Sequence, residues 1–275
     1  MIKFEILVEN KTDNPGIMAE HGLSIYIKTD EKKILFDAGA SDLIIKNANK
    51  MNTDLSTIDF AIISHGHYDH TGGFPSFHNV NNKAPIYIHE NAIKKYHGKH
   101  NGKIEKAMCG IRWTADEKAL LDQSLFFTKR PLWINENIVI SGTIPNVDGI
   151  VPTEQFYYEE NGEMIPDDMS HEQFLAINNE NGIILFSGCS HKGVIPAVKY
   201  CKELFPGEKI ILLVAGMHLY SADKATRERV INQVIEEDIE KVMPLHCTGI
   251  NAICDLKSQM GERCIVATAG DVYEY

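Results

Sequence analysis

The feature that most constrains the fold is a repeated pattern, in which a short apolar segment stops just before a residue able to bind a metal. Residues 34–36, 59–64 and 242–245 are such segments, and they lead into Asp37, His65 and His246. Their β-branched and aromatic residues predict strands. Because the ends of strands present side chains to a cleft at one edge of a sheet, the pattern predicts a site built from strand ends.

The rest of the chain alternates predicted strands with predicted helices. The predicted strands are residues 2–8, 23–29, 33–37, 59–64, 85–89, 173–178, 182–187, 209–215, 241–245 and 264–268. The predicted helices are residues 41–50, a helix from about 91, 115–121, 194–205, 223–238 and a helix from 249. This alternation favours an α/β layered sandwich. With no linker or low-complexity segment, we predict one domain over residues 1–275, with an irregular insertion at about 91–165 that covers the cleft.

Composition limits the classes of binding partner and the cellular compartment that we expect for this protein. A formal net charge of −11 would repel polyphosphate backbones, so we expect no nucleic-acid partner, although a nuclease with a focused site is still compatible. The first nine residues contain acids and do not resemble a signal peptide, and no apolar stretch is long enough to span a membrane. Six scattered cysteines without a CxxC pair indicate reduced thiols. We therefore expect a cytoplasmic protein with a small-molecule substrate, and its oligomeric state stays open.

The run His65-Gly66-His67-Tyr68-Asp69-His70 carries the strongest chemical signal. Imidazole and carboxylate groups at this spacing suit zinc, iron(II) or manganese. Four potential ligands within six residues exceed what one ion takes from a short segment, so we predict two ions about 3.5–4 Å apart. We expect two divalent metal ions, zinc first, with iron or manganese as alternatives.

Such a centre needs further ligands from other strand ends. Four histidines flank predicted strands and are candidates: His171, His191, His218 and His246. Each of them could instead be a structural histidine. The thiolate of Cys189 could bind or bridge metal, or Cys189 could be a small buried residue.

Two further residues have open roles. Asp37 could accept a hydrogen bond from a ligand histidine and fix its tautomer, or it could only cap a turn. His21 precedes a strand and could line the cleft, but a structural role explains it equally well.

Together, residues 36–39, 64–70 and 244–246 resemble the metallo-β-lactamase superfamily. The resemblance runs over nearly the whole chain, and the six-residue motif is highly specific. It implies a four-layer αββα sandwich with the metals at one edge.

Within that superfamily, three segments are similar to a dihydropterin-type branch: residues 20–24, 188–193 and 215–219. The branch is named for a methanopterin-pathway synthase that joins a pterin to ribofuranosylaminobenzene phosphate. The resemblance implies a metallo-hydrolase, or a synthase of this type.

The resemblance also assigns the first metal. It implies that His65 and His67 are ligands of the first ion, with His171 or His191 as the third ligand.

For the second metal, the resemblance implies Asp69, His70 and His246 as ligands. Hydrolases of the superfamily often carry an aspartate after the strand that ends here at residue 187. This chain has Cys189 at that place, so Cys189, His191 or open water stands where a bridging carboxylate is usual.

The resulting hypothesis is metal-assisted hydrolysis or group transfer on a phosphorylated, pterin-like or other small molecule. Asp69 would orient the attacking water, while His191 or His218 would contact the substrate or protonate the leaving group. The alternatives are an iron-dependent oxidase or dioxygenase of the same fold, and a metal-bearing ligand-binding protein without catalysis.

Overall fold

A computed structural model of the chain describes residues 1–100, 103–104 and 109–275. The strands are β1 (Lys3–Val8), β2 (Ser24–Lys28), β3 (Lys33–Phe36), β4 (Phe60–Ile62), β5 (Ile86–His89), β6 (Tyr96–His97), β7 (Lys99–His100), β8 (Lys103–Ile104), β9 (Leu125–Thr128), β10 (Leu132–Asn135), β11 (Ile138–Ile140), β12 (Tyr157–Glu160), β13 (Glu163–Pro166), β14 (Phe174–Asn179), β15 (Gly182–Ser187), β16 (Ile210–Gly216), β17 (Lys241–Leu245) and β18 (Val272–Glu274). The helices are α1 (Leu43–Met51), α2 (Tyr68–Thr71), α3 (Phe74–Val80), α4 (Ala115–Leu121), α5 (Val194–Leu204), α6 (Lys224–Glu236) and α7 (Ile250–Met260). Among the described residues, no helix combines the length and the apolar character that crossing a membrane requires.

The chain divides into two compact units. Unit 1 comprises Met1–Lys129, Gln155–His171 and Thr268–Tyr275, and unit 2 comprises Arg130–Glu154 and Glu172–Ala267. Within the predicted insertion, α4 and β9 belong to unit 1, whereas β10 and β11 belong to unit 2. Residues 101–102 and 105–108 of that insertion lie outside the described residues. The single domain and the covering role of the insertion stay predictions.

Unit 1 is built on a seven-stranded sheet with the order β18-β1-β2-β3-β4-β5-β9. In this sheet, β3, β4, β5 and β9 are parallel to one another. The other neighbouring strands pair antiparallel. Phe36 at the end of β3 pairs with Ile62 at the end of β4. Because these strands are parallel and in register, the residues that follow them emerge at the same edge of the sheet.

Helices α1 and α3 supply apolar side chains to the core of unit 1. Ile44, Phe74 and Phe77 are fully buried and belong to one cluster with Leu35 and Ala61 of the sheet. A fully buried side chain of this size contributes about 1.5–3 kcal/mol to folding. This packing fixes β3 and β4, the strands that carry the residues of the site.

Unit 2 contains a six-stranded sheet with the order β10-β11-β14-β15-β16-β17. β15, β16 and β17 are parallel neighbours, so their carboxyl ends share one edge. Helices α5, α6 and α7 contribute Val198, Ile231 and Leu256 to a cluster with Leu185 and Leu213. Both units thus have helices packed on a sheet, and the α/β class is confirmed.

The helix predicted from about residue 91 is wrong. Residues 91–93 form a turn, and the chain then enters the short strand β6. The hydroxyl of Tyr96 donates a hydrogen bond to the carbonyl of Asn91. A Cβ on Gly66 would lie 2.0 Å from the oxygen of Ala92, so the turn packs directly on the backbone of the histidine motif. This tertiary contact outweighs the local helical tendency.

The strand predicted at residues 264–268 is also wrong. Only Cys264 makes a bridge of the sheet type, to Val242, and the next strand is β18. β18 pairs antiparallel with β1, with Lys3 opposite Glu274. The hydrogen-bonding partner, and not the local apolar pattern, decides which residues become strand here.

Candidate metal centre

The six-residue motif forms a compact cluster of imidazoles in unit 1. His65 follows β4, and His67 is the N-cap residue of the single-turn helix α2, which carries Asp69 and His70. The ring centroid of His65 lies 4.5 Å from that of His67 and 4.2 Å from that of His70. All four side chains are buried. The switch from strand to helical turn brings these donors together.

Asp37 and Ser64 orient two of these rings. Oδ2 of Asp37 lies 2.6 Å from Nδ1 of His70, and Oγ of Ser64 lies 3.0 Å from Nδ1 of His65. Asp37 also accepts hydrogen bonds of 2.7 Å from the Ser64 amide and from the Ser64 hydroxyl. With Nδ1 engaged in both rings, Nε2 is the nitrogen that can bind a metal, an arrangement typical of ligand histidines.

Asp69 stands between two imidazoles. Its Oδ2 lies 3.2 Å from Nε2 of His21 and 3.9 Å from Nε2 of His70. The side chain of His21 is half exposed, and its Nδ1 lies 3.2 Å from the amide nitrogen of Asn10. The structure therefore places His21, whose role the sequence left open, in contact with the carboxylate of the motif.

His171 belongs to the same unit and packs against the motif. Its ring centroid is 5.9 Å from that of His67 and 4.2 Å from that of Tyr96. Nδ1 of His171 accepts a hydrogen bond of 3.1 Å from the Gly66 amide, and Nε2 lies 3.1 Å from Oδ2 of Asp167. A metal ion bound by His171 would have to replace one of these two hydrogen bonds. No pattern in the sequence indicates a role for Asp167 or Tyr96.

In unit 2, the predicted residues follow three neighbouring parallel strands. Cys189 and His191 come after β15, His218 after β16, and His246 after β17. The ring centroids of His191 and His218 are 4.3 Å apart. Sγ of Cys189, a ring nitrogen of His218 and Sγ of Cys247 all lie within 4.8 Å of one another. Sequence reasoning missed Cys247, although it adjoins His246.

His218 and Cys247 shift each other's pKa values. Burial lowers the pKa of His218, but hydrogen bonds with Cys247 and Glu154 outweigh it and raise the pKa to about 10. Burial likewise raises the pKa of Cys247, but hydrogen bonds with Cys189 and His218 and the nearby charge of His246 bring it well below its usual value. Nε2 of His218 lies 2.8 Å from Oε2 of Glu154. No motif surrounds Glu154 in the sequence, and only the fold identifies it.

Glu172 holds the loop that carries His191. Its carboxylate accepts hydrogen bonds of 2.5 Å from the His191 amide and 2.9 Å from the Lys192 amide. The ammonium group of Lys192 donates a hydrogen bond of 2.6 Å to the carbonyl of Ile144. The position of the His191 backbone is therefore fixed by a buried carboxylate that sequence reasoning missed.

The backbone is left-handed at several of these positions. φ is +57° at Asp37, +53° at Ser190, +46° at His218 and +48° at His246. This region costs a residue other than glycine about 1–3 kcal/mol and is over-represented at functional sites. The surrounding hydrogen bonds keep the side chains of Asp37 and His218 in place despite that cost.

The donor atoms fit divalent metal ions. Unit 1 supplies imidazoles and a carboxylate, a set suited to zinc, iron or manganese, and unit 2 adds thiols to its imidazoles. Binding of ions by all the predicted ligands stays a prediction, and these are His65, His67, Asp69, His70, His171, Cys189, His191 and His246. The catalytic roles of Asp69, His191 and His218 also stay predictions.

Comparison with known proteins identifies the family. The family model described as the metallo-beta-lactamase superfamily matches residues 18–127. An uncharacterized protein of Methanocaldococcus jannaschii is 30% identical over 258 residues, which is 93% of each chain. The 7,8-dihydropterin-6-methyl-4-(beta-D-ribofuranosyl)-aminobenzene-5'-phosphate synthase of the same organism is 30% identical over 273 residues, covering 91% of this chain and 89% of the synthase.

A solved structure agrees over the full length. The crystal structure of Tm1679, described as a metal-dependent hydrolase of the β-lactamase superfamily, is 28% identical and superposes with a TM-score of 0.84, covering 100% of this chain and 99% of that one. The predicted family and fold class are thereby confirmed. The chain belongs to the metallo-β-lactamase superfamily.

Proposed function

We propose that this protein is a metal-dependent hydrolase or group-transfer enzyme that acts on a small molecule. The observation that carries the proposal is the buried imidazole cluster of the motif, in which Ser64 and Asp37 engage Nδ1 of His65 and His70. Histidines held in this way are the usual ligands of catalytic divalent ions. We propose zinc as the metal and two ions as the occupancy, because the motif offers more donors than one ion takes.

Different residues of the chain have different roles in the proposed reaction. Bound divalent ions supply an acidified water and polarise a phosphoryl or carbonyl oxygen of the substrate. The Asp69 carboxylate, which lies 3.2 Å from His21, orients the attacking water and accepts its hydrogen bond. Asp37 keeps the His70 ring in place throughout. His191 and His218, whose rings are neighbours, contact the substrate or protonate the leaving group.

For the substrate class, we propose a phosphorylated, pterin-like molecule. The support is the 30% identity with the synthase over 91% of this chain, together with the resemblance of the Gly-Cys-Ser-His segment at residues 188–191 to a motif of the dihydropterin-type branch. The net charge of −11 argues against a nucleic-acid substrate, because a polyphosphate backbone would be repelled.

The test combines metal analysis with turnover. We expect the purified protein to contain zinc and to turn over at least one member of a panel of reduced pterins, phosphate esters, lactones and thioesters. His67→Ala and Asp69→Ala should lose turnover and the metal held by the motif, whereas Asp122→Ala, at an exposed position on the same unit, should keep both. Full metal occupancy in the His67→Ala protein, or turnover that a chelator leaves unchanged, would contradict the proposal.

A further inference from the structure

We propose that Cys189, His218 and Cys247 form a site for a thiophilic divalent cation within unit 2. Its ligand set contains none of the motif residues of unit 1. The site goes beyond the proposed hydrolytic activity. Cys189 and His218 also have predicted roles in that activity, so the test below measures metal coordination separately from turnover.

The geometry of the three donors already approaches that of a bound ion. Their ligand atoms all lie within 4.8 Å of one another. In a tetrahedral zinc site with Zn–S of about 2.3 Å and Zn–N of about 2.0 Å, two sulfurs are roughly 3.8 Å apart and a sulfur and a nitrogen are roughly 3.5 Å apart. Side-chain movements of about 1 Å or less therefore suffice to close the donors around an ion.

The three ligands stand on a rigid frame. Cys189 follows β15, His218 follows β16, and Cys247 lies in the 3-10 turn His246–Thr248 directly after β17. These strands are parallel neighbours, so each contributes one donor at the shared edge. Cys189 and Cys247 are each 2% exposed, and His218 is 7% exposed. A frame of this kind fixes donor positions better than a loop does.

Gly216 leaves the space that the thiols occupy. A Cβ at this position would lie 2.6 Å from the carbonyl oxygen of Gly188, 2.7 Å from Sγ of Cys247 and 3.2 Å from Cα of Cys189. Its φ is not left-handed, so the backbone conformation does not explain the glycine. The close approach of the Gly188 carbonyl and of the Cys247 thiol requires that residue 216 has no side chain.

Glu154 completes the arrangement. Its Oε2 lies 2.8 Å from Nε2 of His218, so Nδ1 is the ring nitrogen that can face the cation. A carboxylate that holds one nitrogen of an imidazole while the other binds metal is a recurrent feature of metal sites. Two thiolates and one imidazole select soft or borderline ions such as Zn²⁺, Co²⁺ and Cd²⁺ over Mg²⁺ and Ca²⁺. Because cysteine binds metal as the thiolate, uptake of the cation would release the protons of the two thiols.

The experiment is a titration of the full, reduced chain with Co²⁺, which gives a thiolate-to-metal charge-transfer band when cysteine binds it. We expect the band in the unmodified protein, and Cys247→Ser should halve it because one of two thiolates is lost. The exposed Cys254 serves as the matched control, and Cys254→Ser should leave the band unchanged. A band of unchanged intensity in Cys247→Ser, or no band at saturation, would overturn the site.

A second measurement avoids substitutions in the site. In the His65→Ala/His67→Ala protein loaded with one equivalent of Zn²⁺, X-ray absorption should show two sulfur ligands at about 2.3 Å. One sulfur or none would overturn the proposal. Because this variant lacks two motif histidines, turnover reports on the proposed function and sulfur coordination reports on the new site, and either can fail alone.

Discussion

Oδ2 of Asp37 lies 2.6 Å from Nδ1 of His70, and the same carboxylate accepts two hydrogen bonds from Ser64. Asp37 follows β3 and Ser64 follows β4, so one buried carboxylate joins the ends of two parallel strands to the motif. With no exposed surface, this carboxylate depends for stabilisation on its three hydrogen bonds with Ser64 and His70. Its main effect is to fix which nitrogen of His70 is available to a metal.

The first prediction concerns the negative charge of the Asp37 carboxylate. Asp37→Asn should lower zinc affinity by about 10- to 100-fold, because the amide cannot hold the His70 ring as firmly. Asparagine also tolerates the left-handed φ of +57° at this position, so the backbone should be retained. Competition with a chromophoric chelator measures the affinity. Asp122→Asn, on the surface of the same unit, is the control, and equal affinities in the two variants would contradict the role of Asp37.

The second prediction concerns the glycine inside the motif. A Cβ on Gly66 would lie 2.0 Å from the carbonyl oxygen of Ala92. Gly66→Ala should therefore destabilise the fold by about 1–3 kcal/mol and reduce bound metal, since the motif backbone must shift. Gly98→Ala is a matched control, because a Cβ there meets no atom of the described residues within 4 Å. Urea unfolding and metal analysis of both proteins test this, and equal stability of the two variants would disprove it.

The sequence predicts the motif well because its donors lie in one segment directly after a strand. His65, His67 and His70 are within six residues, and the parallel pairing of β3 with β4 places Asp37 beside them. Periodicity also locates most strands and helices. Strands of a parallel sheet are buried on both faces and are therefore continuous apolar segments, which a local pattern can identify.

The parts that could not be predicted depend on distant partners. Asp167 and Tyr96 contact His171, and Glu154 contacts His218 across 64 residues, yet none of them stands in a recognisable motif. The turn at residues 91–93 replaces a predicted helix for the same reason. Each of these residues acquires its role from packing against a partner that is distant in sequence. The residues next to it in sequence therefore do not indicate that role.

The third prediction concerns metal removal. A ligand present at 100 times its dissociation constant stabilises the folded state by about 2.7 kcal/mol. For a chain of 275 residues, this corresponds to a rise of roughly 5 °C in melting temperature. A chelator should remove this rise, and Zn²⁺ should restore it. Ca²⁺, which prefers oxygen ligands, should not. Identical melting temperatures for the chelated and the zinc-loaded protein would contradict a bound metal in the folded state.

The fourth prediction concerns His78 on α3. Burial lowers the pKa of His78 below its usual value of 6.5. A histidine with a lowered folded pKa binds its proton more readily when unfolded, so its contribution to stability is present above about pH 6.5 and is lost as the pH falls towards the folded pKa. The side chain lies 3.4 Å from Oγ of Ser124. His78→Gln should lose less stability than the unmodified protein between pH 7 and pH 5, as measured by urea unfolding. Parallel pH profiles would contradict the prediction.

The last prediction separates position from charge at Glu154. Its carboxylate lies 2.8 Å from Nε2 of His218, in the same unit as the two thiols. Glu154→Gln keeps the size of the side chain but removes the charge, so the imidazole should be oriented less firmly and Co²⁺ affinity should fall by about 10- to 100-fold. The charge-transfer band at saturation should keep its full intensity, because both thiolates are still present. Glu136→Gln, at an exposed position of unit 2, should change neither quantity. A band that weakens with unchanged affinity would show that Glu154 acts on the thiols and not through His218.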